Sequence, residues 1–136
     1  MAAMQTRATD IHAFAAIAEL EVYEARINSY VRYPQERGGK NEVSRHFERL
    51  RISCARCAEL TVPWLGLMIS HCELLARVDE HWDAERGEHG ARAVLSRHDA
   101  CVQQLALACR RLLQRQPSAP GQSAPSQRRR ARRVTA

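Results

Sequence analysis

The sequence holds five cysteines and six histidines, and their spacing sets the range of chemistry open to it. Cys54 and Cys57 stand one helical turn apart, so a helix carries both sulfurs on one side. Thiolates together with an imidazole hold zinc or Cu(I). Cys54, Cys57, Cys72, His98 and Cys101 are therefore the candidate metal or redox set. A second Cys-x-x-Cys is absent from the sequence. Asp79 falls within an apolar arc formed by Met68, Cys72, Leu75 and Trp82, and an ionised acid in a core requires a partner. His98 occupies the centre of a later apolar arc, which makes Asp79 and His98 the expected buried polar pair. The simpler reading is that this pair is satisfied and the thiols pack as small hydrophobes, with no cofactor; the sharper one is a zinc or Cu(I) centre.

Other catalytic patterns are weak. No Glu-x-x-His occurs, which removes the usual di-iron carboxylate bundle. His81 and Glu85 read as an exposed helical pair. Gly38-Gly39-Lys40 lacks the upstream glycine of a phosphate-binding loop, and no serine sits in a nucleophile-elbow pattern. These absences predict a protein that is not an enzyme.

Four segments with helical periodicity must position these residues. The first runs from Asp10, a fair N-cap, to Tyr33 before Pro34. The second runs from Asn41 to about Thr61, with Val43, Phe47, Leu50, Cys54, Cys57 and Thr61 as its seam. The third starts at Pro63, a residue suited to a helix start, and fades over Gly87 to Gly90. The fourth spans about Ala91 to Gln116 along Val94, His98, Cys101/Val102, Leu105, Cys109 and Leu112. Similar lengths and short connections predict an all-α fold, an antiparallel up-down four-helix bundle. Thr61-Val62-Pro63 leaves open whether the second and third segments form a hairpin or one kinked helix. A turn at Pro63 sets Cys54 level with Cys72, and a turn near residue 88 sets Asp79 level with His98.

The first helix carries two apolar stripes. One is Ile11, Phe14, Ala15, Ala18, Val22 and Ala25. The other is Ala13, Ala16, Leu20, Tyr23, Ile27 and Tyr30. A bundle helix needs one such stripe. The second, with two tyrosines and an isoleucine, resembles an interface core, and Leu20, Tyr23, Ile27 and Tyr30 are the expected partner-binding residues.

Composition bounds the rest. The apolar share of 45% is enough for a core, and 136 residues make one domain. Aromatic residues at 5% argue against a base-stacking reader of single strands. The net charge of +6 is unevenly placed: of 21 basic residues, five fall in the last nine positions. Those five are Arg128, Arg129, Arg130, Arg132 and Arg133, and they are candidates for sequence-independent phosphate contact. Arg45, Arg49 and Arg56 share an outer face of the second helix as a weaker basic patch. The division expected is a flexible 1–9, a helical bundle over 10–116 and a disordered Pro/Ser/Arg-rich basic tail over 117–136. No secretory signal or membrane span is evident, so the expected location is cytoplasmic with reduced thiols. The function expected is protein–protein interaction, as an adaptor, chaperone or regulator that self-associates. A nucleic-acid-associated regulator using the tail and a metal or redox sensor are the alternatives.

Overall fold

A computed structural model describes residues 2–80 and 89–114. The described residues form α1 (Ala2–Arg32), α2 (Gly39–Ala55), a single 3-10 turn (Ala58–Leu60), α3 (Thr61–Asp79) and α4 (His89–Gln114), with no strand among them. The chain is an all-α helical bundle. No described helix is long and apolar enough to cross a membrane.

The helix boundaries follow local chemistry. α1 begins at Ala2, well ahead of Asp10, so the stretch expected to precede the bundle is part of its first helix. It ends at Arg32 because Pro34 disfavours the helical region for the residue before it. Pro34 instead occupies a turn closed by Glu36 N–H donating to the Tyr33 carbonyl at 3.0 Å. Gly38, not Asn41, caps α2: its φ of 81° lies in the left-handed region, where glycine meets no steric penalty. Beside it, a Cβ at Gly39 would stand 3.3 Å from the Tyr30 ring, which keeps the α1–α2 connection tight.

α2 stops at Ala55, earlier than the expected Thr61. Cys57 is extended, with φ −125° and ψ 109°, and the 3-10 turn follows. The helices on either side are therefore separate rather than one kinked helix. Pro63 is accommodated because it lies in the first turn of α3, where N–H groups lack intrahelical acceptors. The lengths of 31, 17, 19 and 26 residues are less alike than periodicity suggested.

Side-chain pairings place the helices. Cys57 Sγ lies 3.8 Å from the Thr9 carbonyl, His46 faces Glu19, and Gly39 adjoins Tyr30. Partner numbers thus fall along α2 as they rise along α1. Arg97 pairs with Glu73, and the Arg77 guanidinium approaches Gly90, giving the same opposed order for α3 and α4. One core runs through all four helices, built on Tyr23 and Ile27 of α1, Val43 and Leu50 of α2, Leu67 and Leu74 of α3, and Val94 and Leu105 of α4. Burial of each large side chain stabilises by roughly 1.5–3 kcal/mol.

Candidate functional site

The most polar feature of the core is a chain of three side chains from three helices. The Tyr23 hydroxyl lies 2.8 Å from His71 Nδ1 and 2.8 Å from His98 Nε2. A phenol has one proton, so it donates to one imidazole and accepts an N–H from the other. The two rings must then expose opposite tautomers to it, and exchanging both roles gives an equivalent arrangement. Phe47 stacks on His71, with centroids 3.7 Å apart and planes 5° from parallel, and Trp64 stacks on Phe47 at 4.8 Å. These aromatic faces close the space between α2 and α3.

The surroundings hold all three groups neutral. Burial lowers the His71 pKa to about 4, with a further reduction from the charge of His98. Burial likewise lowers His98 to about 4, against a small opposing pull from Asp99. Burial, followed by the nearby Cys72 thiol, raises Tyr23 far above the usual phenol range. Groups tuned in this way make a satisfied hydrogen-bonded network, poor in both nucleophiles and charged acids.

Several expected assignments are corrected. Leu20, Tyr23, Ile27 and Tyr30 are not a docking surface: Tyr23 and Ile27 are fully buried and Leu20 and Tyr30 are 3% and 5% exposed within the single chain. The reason is the hydroxyl of Tyr23, which finds both its partners inside. The other stripe of α1 is the outer one, with Ile11 65% and Phe14 64% exposed and Val22 also exposed.

Asp79 does not meet His98. The Glu73–Arg97 pairing fixes the α3–α4 register so that Asp79 lies beyond His98, at the end of α3. There it forms a half-exposed ion pair with Lys40 at 3.0 Å and accepts a long bond of 3.4 Å from the Tyr30 hydroxyl. Pairs this exposed are screened by solvent and contribute little to stability.

The proposed metal set is dispersed. Cys72 is exposed, Cys101 lies by Gly66, and His98 is engaged by Tyr23. Cys54 and Cys57 are buried with Cys109 on α4. Burial pushes the Cys54 thiol up to about 12 and Cys109 up to about 11, and raises Cys57 as well, which favours the neutral thiol at each. Among the described residues no three His, Cys, Asp or Glu side chains converge as a metal site. Arg128, Arg129, Arg130, Arg132 and Arg133 lie outside the described residues, as do His81, Trp82 and Glu85. Arg45 and Arg49 are exposed on α2 and Arg56 at its C-cap, with Arg45 bonded to Glu42 at 3.0 Å.

Sequence reasoning missed His71 and His46. His71 sits on the 3-4-3-4 spacing Trp64, Leu67, His71, Leu74, Val78, all buried, and that spacing was the available signal. His46 is buried between Glu19 Oε2 at 3.8 Å and Glu42 Oε2 at 3.6 Å, and its Nδ1 lacks a hydrogen bond. An open cleft of about 620 Å³ lies at the α1–α2 turn, lined by Arg32, Tyr33, Pro34, Gln35 and Glu36. Glu36 is the one carboxylate among the described residues that line it. Comparison of the chain with known protein families, with characterised proteins and with solved structures finds no match.

Proposed function

We propose that this chain is a non-enzymatic helical bundle that acts by protein–protein contact, as an adaptor, chaperone or regulator, with self-association as the simplest case. Its contact surface is the outer stripe of α1, formed by Ile11, Phe14 and Val22 over the small residues Ala15, Ala18 and Ala25. The observation that carries this reading is that α1 is apolar on both sides while one side alone is sealed in the core. Large apolar side chains aligned at seam spacing on an exposed helix face mark interaction sites. An up-down antiparallel order of the four helices belongs to the same proposal and is supported by the opposed numbering of partners along α1–α2 and α3–α4. It leaves Ile11, Phe14 and Val22 of α1 open to a partner.

The test is light scattering as a function of concentration on wild type and Phe14→Glu/Val22→Glu. The variant should keep its helix content and its melting temperature within about 3 °C, since exposed substitutions usually change stability by no more than ~0.5 kcal/mol. The rise of apparent mass with concentration should fall. An identical rise in both proteins would exclude self-association through this face.

A further inference from the structure

Among the described residues three histidines are buried, and His46 is the one outside the Tyr23 network. It lies on the side of α2 that faces α1, between the Tyr30–Gly39 contact at one end of that seam and the Thr9–Cys57 contact at the other. Its side chain is 8% exposed. Nδ1 is buried without a hydrogen bond and faces Glu19 Oε2 of α1 at 3.8 Å. Nε2 faces Glu42 Oε2, one turn back on α2, at 3.6 Å. Both separations exceed the roughly 2.7–3.2 Å of an N–H···O bond.

A neutral imidazole has one N–H and one lone pair. Here each nitrogen faces a carboxylate, so in either tautomer a lone pair is directed at an anionic oxygen. A cation held between the two atoms turns that repulsion into attraction. The two sides are not equivalent. Glu42 is already matched, because Arg45 donates to the same Oε2 at 3.0 Å. Glu19 has no arginine or lysine partner among the described residues. Unmatched charge and the unbonded nitrogen therefore meet on the α1 side. We propose that Glu19 Oε2 and His46 Nδ1 are the protein ligands of a zinc ion that links α1 to α2, with Glu42 orienting the ring through Nε2–H.

Distance favours a metal ion over a proton. A proton would bridge Nδ1 and Glu19 after the two atoms had closed by at least about 0.6 Å. Zinc binds an imidazole nitrogen at ~2.0–2.1 Å and a carboxylate oxygen at ~2.0–2.2 Å. At the observed separation it subtends an angle of about 130°, and closing by about 0.4 Å makes that angle tetrahedral. Glu19 is a long, part-exposed side chain able to move that far. The order carboxylate, imidazole, metal is the usual one, the second ring nitrogen donating to the carboxylate that holds the ring. The ligand types select the ion. An imidazole with one carboxylate suits zinc, whereas calcium and magnesium take sets of oxygens. The next thiol along α2, Cys54, is two turns away, about 12 Å, which disfavours Cu(I). Water completes the shell on the open side of Glu19. Two protein ligands, half of a structural zinc set, put the dissociation constant on the order of 10 μM.

Calorimetric titration of the full chain with zinc chloride tests the site, in a Cys72→Ser background that removes the exposed thiol. Zinc should bind at that level and magnesium should give no heat. Glu19→Gln should weaken zinc binding at least ten-fold, and Glu42→Gln, which leaves both ligands in place, by roughly ten-fold. Circular dichroism on each variant checks that the fold is retained. Because replacing the buried imidazole risks the packing, His46 is read directly by ¹⁵N NMR: the Nδ1 signal should shift on adding zinc while Nε2 keeps its proton. Absence of zinc binding, or equal affinity in Glu19→Gln, would overturn the site. A His46 protonated on both nitrogens and insensitive to zinc would overturn it in favour of a proton.

Discussion

Replacing Tyr23 with phenylalanine should destabilise the chain by about 3 kcal/mol, although one oxygen atom is all that is lost. The ring still fills its site against Phe47, 5.5 Å away, so no large cavity forms. What changes is that His71 Nδ1 and His98 Nε2 no longer have the hydroxyl that stands 2.8 Å from each. One ring loses an acceptor and the other a donor. Each buried polar group left without a partner costs about 1–3 kcal/mol. Urea unfolding at pH 7.5 should show the midpoint falling with the slope unchanged, and the melting temperature should drop by roughly 10 °C. Tyr30→Phe is the control. Its hydroxyl makes a 3.4 Å contact to the half-exposed Asp79, so its loss should cost less than ~1 kcal/mol. Equal costs for the two variants would mean that the histidines do not depend on Tyr23.

Acid should unfold the protein over a window set by the same two histidines. Both are buried neutral, with pKa values near 4 against about 6.5 in an unfolded chain. Between these values the unfolded state binds protons that the folded state refuses, so stability rises with pH across the window. It is complete above about pH 7 and is lost as pH falls from 6.5 toward 4. A shift of this size corresponds to roughly 3 kcal/mol for each histidine. Against the ~5–15 kcal/mol typical of a domain, the pair alone removes a large part of the stability by pH 4. Urea midpoints taken at pH 7.5, 6 and 4.5 should fall steeply below 6.5. His98→Asn, which keeps a hydrogen-bonding side chain without a titrating group, should flatten that slope by about half. A profile flat from pH 7.5 to 4.5 would place the imidazoles in contact with water.

The sequence made some of this arrangement legible and hid the rest for identifiable reasons. The seam of α4 through Val94, His98, Val102, Leu105, Cys109 and Leu112 is the buried face observed, because that helix has one apolar stripe and a strongly polar opposite side. On α1 both stripes were visible, but which faces inward was not. Alanine suits either side of a helix, and the tie is broken by Tyr23 finding His71 and His98, residues 48 and 75 positions away. On α3 the difficulty was greater, since residues 61–79 are apolar nearly all round. The arc through Met68, Cys72 and Leu75 lies about a quarter of a turn from the one that is buried. That rotation moved His71 out of view and Cys72 into the supposed core.

The expected metal set is dispersed through the same difference in rotation and register. Cys72 turned outward, and the α3–α4 pairing set by Glu73 and Arg97 carried Asp79 past His98 to Lys40. The sequence pattern places the break between α2 and α3 at Pro63, the residue that ordinarily marks one. It occurs instead at Arg56–Cys57, where no proline or glycine stands, while Pro63 sits harmlessly in a first helical turn.

α1 keeps Tyr23 and Tyr30 inside and turns Ile11 and Phe14 outward. Hydroxyl-radical footprinting of dilute wild-type protein, read residue by residue by mass spectrometry, tests it most directly. Phe14 should be oxidised at the rate of an exposed phenylalanine, and Tyr23 should be protected at least ten-fold relative to the unfolded chain. Rapid oxidation of Tyr23 with protection of Phe14 under the same conditions would contradict this orientation of α1.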